Sequence, residues 1–278
     1  MQLMNLKNAY LRVSVETKEQ LSGCIKMPGA ELIYIDSGYF PPETWKDTVK
    51  MIHKGSGGIG KMAGLRFPHI FRTEAENFFS VNRGLLSDSG FDLFLVRNME
   101  TALFIKEELP YISPEMLVFD HTVYSFNSQT DEVISEITGF EGFTGTYAAE
   151  LSDKEIKTAE RLPGIKKELV VYGRVPMMVT AQCLRKTSLR CDRRMCEMQL
   201  KDRTGAFMPV KNCCTFCYNT VLNSVPTCLY DLSGDIDEIA PDFIRYEFTV
   251  EKEQEVKNIL SGKIPAGFTR GHFRKSVQ

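Results

Sequence analysis

Short apolar runs alternate with amphipathic stretches over much of the chain, a pattern that predicts strands followed by helices. Many of the apolar runs are uninterrupted, as is typical of parallel strands that are buried on both faces. The predicted strands are residues 11–15, 31–36, 61–67, 92–97, 116–120, 146–150, 168–173 and 243–250. The predicted helices are residues 17–25, 42–53, 73–86, 99–109, 130–137, 152–162 and 251–260.

This repetition of strand and helix predicts an α/β fold of the (β/α)8 type, a TIM-like barrel. A doubly wound open sheet is the alternative. We expect the 278 residues to form a single barrel domain, 1–278, with a cysteine-rich insertion at 174–242 between strands seven and eight. A glycine-rich run at 55–60 matches a dinucleotide-binding spacing, but it precedes a predicted strand, so we interpret it as a turn.

Polar side chains follow most of the predicted strands. In a barrel the carboxyl ends of the strands surround the active site, so we expect these side chains to line the mouth. Arg66, Arg97 and Arg174 together would form a site for a phosphate or a carboxylate. His53 and His69 are interpreted as surface or packing residues. The predicted mouth residues are Glu16, Asp36, Arg66, Arg97, Asp120, His121, Glu150, Arg174 and Glu247.

Seven of the eight cysteines lie between Cys183 and Cys228. Cys214 and Cys217 form a C-x-x-C pair, a spacing that lets two thiolates bind one metal site. Cys183 and Cys191 would complete a set of four thiolates, which suits either zinc or a [4Fe–4S] cluster. The spacing alone does not separate these two metals. Buried free thiols and a structural zinc knuckle are the alternatives.

Composition narrows the classes of function. With 34 basic and 36 acidic residues the overall charge does not indicate nucleic-acid binding. No apolar run reaches the roughly 18–20 residues that span a bilayer, and the start lacks a signal-peptide pattern, so we expect a cytoplasmic protein without membrane contact. Cytoplasmic thiols stay reduced, which favours metal binding. The sequence lacks Gly-x-Ser-x-Gly and His-Glu-x-x-His, so it offers no recognisable peptidase constellation.

The second half of the chain resembles the collagenase-like peptidase family U thirty-two, a family of unassigned catalytic type. The resemblance covers about residues 145–275, and the first half fits only in general pattern. The motifs that carry it are YAAELS at 147–152, ELVVYGRVPMMVTAQC at 168–183, LKDRTG at 200–205, FMPV at 207–210, CTFCYN at 214–219, NSVP at 223–226 and TRGHF at 269–273.

The resemblance implies a barrel that holds a [4Fe–4S] cluster on Cys183, Cys191, Cys214 and Cys217, with Cys213 in place of Cys214 still open. It also implies oxygen-independent hydroxylation of RNA or of a small aromatic quinone precursor, with prephenate as the oxygen source for RNA. A protease or collagenase-like hydrolase and a non-catalytic, metal-stabilised subunit are the alternatives. Many relatives are longer, so the chain is either a stand-alone short member or needs a partner chain that supplies the missing domains. The candidate catalytic residues are Arg174, Asp202, Arg203 and His272.

Overall fold

The computed structural model describes residues 9–56, 59–188 and 191–275. The glycines at 57 and 58, part of the predicted turn, lie outside these ranges. The strands in chain order are β1 (Tyr10–Val15), β2 (Ala30–Asp36), β3 (Met62–Arg66), β4 (Leu93–Val96), β5 (Leu117–Phe119), β6 (Thr144–Thr146), β7 (Lys166–Gly173), β8 (Pro176–Thr180), β9 (Glu197–Lys201), β10 (Phe207–Cys213), β11 (Tyr218–Leu222), β12 (Thr227–Cys228) and β13 (Phe243–Glu247).

Strands β1 to β7 and β13 form a closed parallel barrel. β1 lies between β2 and β13, and β7 pairs with both β6 and β13, so the ring of strands has no free edge. The remaining neighbours pair in chain order from β2 to β6. The prediction of a (β/α)8 barrel is therefore confirmed, and the open doubly wound sheet is wrong.

Helices connect the barrel strands. Two begin with capping boxes, at Thr17 with Gln20 and at Ser152 with Glu155, which satisfy backbone N–H groups of the first turn. No helix among the described residues is long and apolar enough to cross a membrane. The helices are α1 (Lys18–Ile25), α2 (Trp45–Lys54), α3 (Thr73–Val81), α4 (Arg83–Ser89), α5 (Met99–Glu108), α6 (Ser128–Thr138), α7 (Asp153–Thr158), α8 (Leu184–Ser188), α9 (Ser233–Ile239) and α10 (Glu253–Leu260).

Three elements differ in extent from the sequence prediction. The sixth strand covers Thr144–Thr146 and not 146–150. The helix predicted at 73–86 is divided at Asn82, whose side-chain amide donates to the carbonyl of Phe78 and competes with the helical pattern. The helix predicted at 152–162 ends at Thr158, because the residues before Pro163 are biased towards extended backbone.

The barrel interior contains both apolar and charged side chains. Leu32, Tyr34, Leu95 and Val118 form a small buried apolar cluster inside the barrel. Gly64 makes room for it, since a Cβ at this position would lie 2.2 Å from the Tyr34 ring. Towards the carboxyl ends of the strands the interior carries charged side chains, and these form part of the candidate site.

The segment after β7 forms its own antiparallel sheet in the order β8, β11, β10, β9. We call this the insertion sheet. It contacts the carboxyl-end loops of the barrel: the Lys211 ammonium donates to the carbonyl of Thr249 at 2.7 Å. After it, β12 pairs antiparallel with the end of β7 and α9 leads into β13.

Candidate functional site

The insertion sheet separates two groups of polar side chains, because successive residues of a strand point to opposite faces. Lys211, Cys213 and Tyr218 contact barrel loops: Cys213 lies against Gly38, and the Tyr218 hydroxyl accepts the N–H of His69. Asn212 and Asn219 point to the other face, where their side-chain amides approach cysteine sulfurs. The sheet thus covers the barrel mouth with one face and carries thiols on the other.

Five cysteines are neighbours on this outer face, and we call them the thiol group. Partial burial raises the pKa of Cys214, and the charges of the four neighbouring thiols raise it further. Cys191 and Cys217 are exposed, whereas Cys183, Cys196 and Cys214 are half-buried. The thiol group therefore includes all four predicted ligands. Its members are Cys183, Cys191, Cys196, Cys214 and Cys217.

The C-x-x-C pair lies in the tight turn between β10 and β11. Cys217 has a φ of 56°, a left-handed conformation that is unusual for a residue with a side chain. Between the two cysteines, the Thr215 hydroxyl donates to the carbonyl of Gly38 at 2.8 Å. Phe216 is buried and packs against Phe78 and Phe79 of α3, with ring centroids 5.1 and 6.0 Å away. The turn is thereby fixed to the barrel.

The other three cysteines lie in the core. Burial raises the pKa of Cys213 to about 12, and burial likewise raises the pKa values of Cys24 and Cys228. Because Cys213 faces the barrel, it lies on the opposite side of the insertion sheet from the thiol group. Cys196, which the sequence leaves outside the predicted ligand set, belongs to the thiol group.

The donor set of the thiol group suits a soft metal, since thiolates select zinc, Cu(I) and iron–sulfur clusters. Over residues 9–56, 59–188 and 191–275, no three cysteine sulfurs lie within 4.8 Å of one another. Four thiolates bound to one zinc at about 2.3 Å would lie about 3.8 Å apart. The sulfurs as they stand are more widely spaced than a zinc site, and a larger cluster requires wider spacing.

An alternating series of buried cations and anions fills the barrel mouth, and we call it the ion-pair chain. Neighbouring members approach within 4.0 Å. Glu247 branches from it, 3.2 Å from Arg245. Burial alone would raise the pKa of Asp120, but Arg245, His121 and Arg97 lower it below its usual range. The members in order of contact are Arg12, Glu168, Arg245, Asp120, Arg97, Asp36, Arg66, Glu16 and Lys211.

All four arginines of the ion-pair chain keep donors that make no hydrogen bond among the described residues: Nε of Arg12 and of Arg245, and Nε with one terminal nitrogen of Arg66 and of Arg97. Three of the four atoms on Arg66 and Arg97 still lie 3.6 to 4.0 Å from carboxylates of the ion-pair chain. Arg66 and Arg97 are buried, at 3 % exposure. A buried guanidinium N–H without an acceptor is unfavourable, so these donors suit an anionic ligand. Arg174 also lines the mouth with an Nε that makes no hydrogen bond, while its terminal nitrogen donates to the carbonyls of Asn223 and Ser224.

Several residues that line the mouth were not in the predicted set. Among them, Lys211 and Tyr218 reach it from the insertion sheet, and His69 from the loop after β3. Burial lowers the pKa of His69 and so favours the neutral imidazole. Burial raises the pKa of Glu16 from 4.5 to about 7, although the adjacent Lys211 lowers it.

The remaining candidate residues lie outside the ion-pair chain. Asp202 and Arg203 form the turn between β9 and β10, where the Asp202 carboxylate accepts the N–H groups of Thr204 and Ala206. Asp202 therefore shapes the insertion sheet. His272 and Glu150 line a side cavity of about 350 Å³ beside the mouth.

One group at the mouth has the residue types of a divalent-cation site. Asp120, His121 and Glu247 each offer one ligand atom, and these atoms lie within 4.8 Å of one another. His121 and Glu247 also line the side cavity. Arg245 already pairs with both carboxylates and neutralises much of their charge. The group is therefore occupied by a protein cation.

No family model and no curated protein matches the chain. Among solved structures it is similar to a protein assigned as a fructose-1,6-biphosphate aldolase from Coccidioides immitis, at 15 % identity over 58 % of this chain and 64 % of that one, TM-score 0.40. It is also similar to the YdjI aldolase from Escherichia coli K12, at 15 % identity over 59 % and 66 %, TM-score 0.38. The Bacillus cereus spore cortex-lytic enzyme SleL is 10 % identical over 95 % and 76 %, TM-score 0.35. The chain spans less than two thirds of either aldolase.

Proposed function

We propose that the chain is a member of the collagenase-like peptidase family U thirty-two that works as an iron–sulfur enzyme and hydroxylates RNA or a small aromatic compound without molecular oxygen. The observation that carries this proposal is the thiol group. The charges of Cys183, Cys191 and Cys217 all raise the pKa of Cys214, although these residues lie in different loops of the insertion, and this supports a shared site. The family motifs at 168–183 and 214–219 contain three of these four residues.

One argument favours a [4Fe–4S] cluster over zinc. The sequence motifs resemble a family that holds such a cluster. Cys183, Cys191, Cys214 and Cys217 would be its ligands, and when bound the cluster would supply or accept single electrons.

The surroundings of the thiol group support RNA as the substrate. Residues 183–206 contain seven lysines and arginines but three acidic residues, a net charge of +4, whereas the whole chain has −2. The side chains of Lys186, Arg193, Arg194, Lys201 and Arg203 are exposed. A cluster of exposed cations attracts phosphate groups, so a local patch can bind RNA even where the overall charge is near zero.

The proposed reaction requires an oxygen donor. Hydroxylation replaces C–H by C–OH and removes two electrons from the substrate. Without molecular oxygen, a donor molecule must transfer its hydroxyl oxygen, accept those two electrons and leave in deoxygenated form. The donor must therefore bind on the same face of the insertion sheet as the substrate, and the barrel mouth lies on the other face.

Anaerobic purification tests the proposal. We expect brown protein with about four irons per chain and a broad absorbance near 400 nm that oxygen bleaches. Cys214→Ser should lose the iron, whereas Cys196→Ser, a matched change within the same thiol group, should keep it. Nucleoside analysis of RNA from cells with and without the gene should then show one hydroxylated base that disappears. Colourless protein with one zinc would contradict the proposal and favour a non-catalytic, metal-stabilised subunit.

The Asp120, His121 and Glu247 group favours a second candidate function, a metal-assisted hydrolase. Its position beside the side cavity would allow a peptide to approach the ion. The contacts of Arg245 with both carboxylates weigh against it. Peptide hydrolysis that depends on added Mn²⁺ and is unchanged in Cys214→Ser would support this candidate over the first.

A further inference from the structure

Asn212 of β10 and Asn219 of β11 lie directly opposite each other in the insertion sheet. Both are buried, at 3 % and 0 % exposure, although their side chains are polar. Each points to the face that carries the thiol group. Burial of two asparagines at one cross-strand pair is unfavourable unless the donors and acceptors of both amides make hydrogen bonds.

Each asparagine uses its amide oxygen to hold a loop that carries cysteine. The oxygen of Asn212 accepts the backbone N–H of Cys196 at 2.8 Å, and its nitrogen also donates to the carbonyl of Arg194. The oxygen of Asn219 accepts the N–H of Leu184, the residue after Cys183, at 2.8 Å. The pair therefore joins the two loops to the centre of the sheet.

The amide nitrogens are directed at sulfur. Nδ2 of Asn212 donates to Sγ of Cys214 at 3.1 Å, and Nδ2 of Asn219 lies 3.9 Å from Sγ of Cys183. An amide can accept a backbone N–H and donate to a thiolate at the same time. Aspartate lacks the donor, and leucine lacks both groups. Asparagine meets both requirements, an acceptor for the backbone N–H and a donor to the thiolate.

We propose that Asn212 and Asn219 are positioning residues that donate hydrogen bonds to the thiolates of Cys214 and Cys183 and thereby raise the reduction potential of the metal centre; this rests on the proposed function. Hydrogen bonds to cluster sulfurs withdraw electron density, which favours the reduced state. Cys191 and Cys217 are exposed to solvent. One side of the centre is therefore held by protein amides and the other faces solvent.

The variants Asn212→Asp and Asn219→Asp test this, because each keeps the size and the acceptor but removes the donor and adds a negative charge. Asn258→Asp on α10 makes the same chemical change away from the thiols. In anaerobic redox titrations we expect Asn212→Asp and Asn219→Asp each to lower the reduction potential of the cluster by at least about 59 mV. For a one-electron couple this is a tenfold shift towards the oxidised state. The Asn258 variant should match the wild type.

A second measurement needs no metal. In metal-free protein we expect iodoacetamide to label Cys214 several-fold more slowly in Asn212→Asp, and Cys183 more slowly in Asn219→Asp, because the amide stabilises the reactive thiolate. Mass spectrometry of peptides gives each rate. Unchanged labelling with an unchanged potential would overturn the inference. Slower labelling in a protein that holds only zinc would support the asparagine contacts and reject the iron–sulfur function.

Discussion

At the scale of single residues, Glu16 is a buried carboxylic acid in contact with the ammonium group of Lys211. Its carboxylate pairs with Lys211 and lies 4.0 Å from Arg66, yet burial outweighs these contacts and raises its pKa to about 7. The neutral acid is therefore a populated form near neutral pH. Glu16 belongs to the ion-pair chain, which together with Glu247 contains five cations and five anions, so its protonation changes their net charge from zero to +1.

This pKa predicts a pH-dependent stability. Between pH 4.5 and about 7 the folded protein retains a proton that the unfolded chain releases, so Glu16 destabilises the fold increasingly as the pH rises. A shift of this size corresponds to about 3 kcal/mol. We expect Glu16→Gln, which cannot ionise, to gain about that much in free energy of unfolding relative to wild type from pH 4.5 to 7.5.

Urea unfolding at several pH values measures this difference, and the other titrating groups cancel in the comparison. Glu19→Gln on the exposed side of α1 removes the same charge without changing the mouth. A Glu16→Gln difference that stays constant from pH 4.5 to 7.5 would contradict the assignment. The direction of the change with pH is decisive. A carboxylate whose pKa was only lowered, by Lys211, would make the wild-type fold more stable as the pH rises.

Sequence predicts part of this site. Glu16, Asp36, Arg66 and Arg97 could be found because each follows a strand, and strand ends of a parallel barrel meet at one mouth. Lys211 could not be found in this way. It reaches the mouth from an antiparallel strand. The register of that strand, and the face to which its side chains point, depend on contacts with residues distant in sequence. The same reason hides Asn212 and Asn219, since only cross-strand register brings them together.

At the scale of elements, the β10–β11 hairpin determines where the thiols lie. Its alternation sends odd-numbered residues of β10 to the barrel and Asn212 to the thiol group. The sequence shows the C-x-x-C spacing but does not predict the hairpin. A short loop between two β-rich runs does not determine to which face of the sheet each side chain points. The turn is held mainly by Phe216 against α3, so the positions of Cys214 and Cys217 depend on barrel packing.

Removal of this ring should loosen the turn. We expect Phe216→Ala to lower the free energy of unfolding by about 3–5 kcal/mol, because a buried aromatic side chain leaves a cavity. Retention of metal at Cys214 and Cys217 should fall as well. Phe207→Ala, on β10 and exposed, should change stability by no more than about 0.5 kcal/mol. Equal losses in the two variants would show that the contact with α3 does not hold the turn.

At the scale of the whole molecule, the barrel has a charged upper interior in place of a continuous apolar core. The ion-pair chain and Glu247 contain five cations and five anions, drawn from most barrel strands and from the insertion sheet. Such a network gains little over apolar packing, but each member needs its neighbours because an unpaired buried charge is very costly. It links insertion and barrel into one unit at the mouth.

Arg245 is the member on which the network depends most, because it is fully buried and contacts Asp120, Glu168 and Glu247. We expect Arg245→Met to lower the free energy of unfolding by about 3–5 kcal/mol, since it leaves buried carboxylates without their cation. Arg83→Met, which breaks an exposed pair with Glu108, should cost no more than about 1 kcal/mol. Urea unfolding at pH 7 measures both.

A double variant separates loss of charge balance from loss of packing. If the cost of Arg245→Met comes from unpaired carboxylates, then Glu168→Gln in the same protein removes one of them, and the two changes together should cost less than their sum. Strict additivity would mean that Arg245 stabilises the barrel through its side-chain volume alone. In that case the ion pairs of the interior would act independently of one another. The pair between Lys211 of the insertion sheet and Glu16 would then gain no stability from the ion pairs of Arg245.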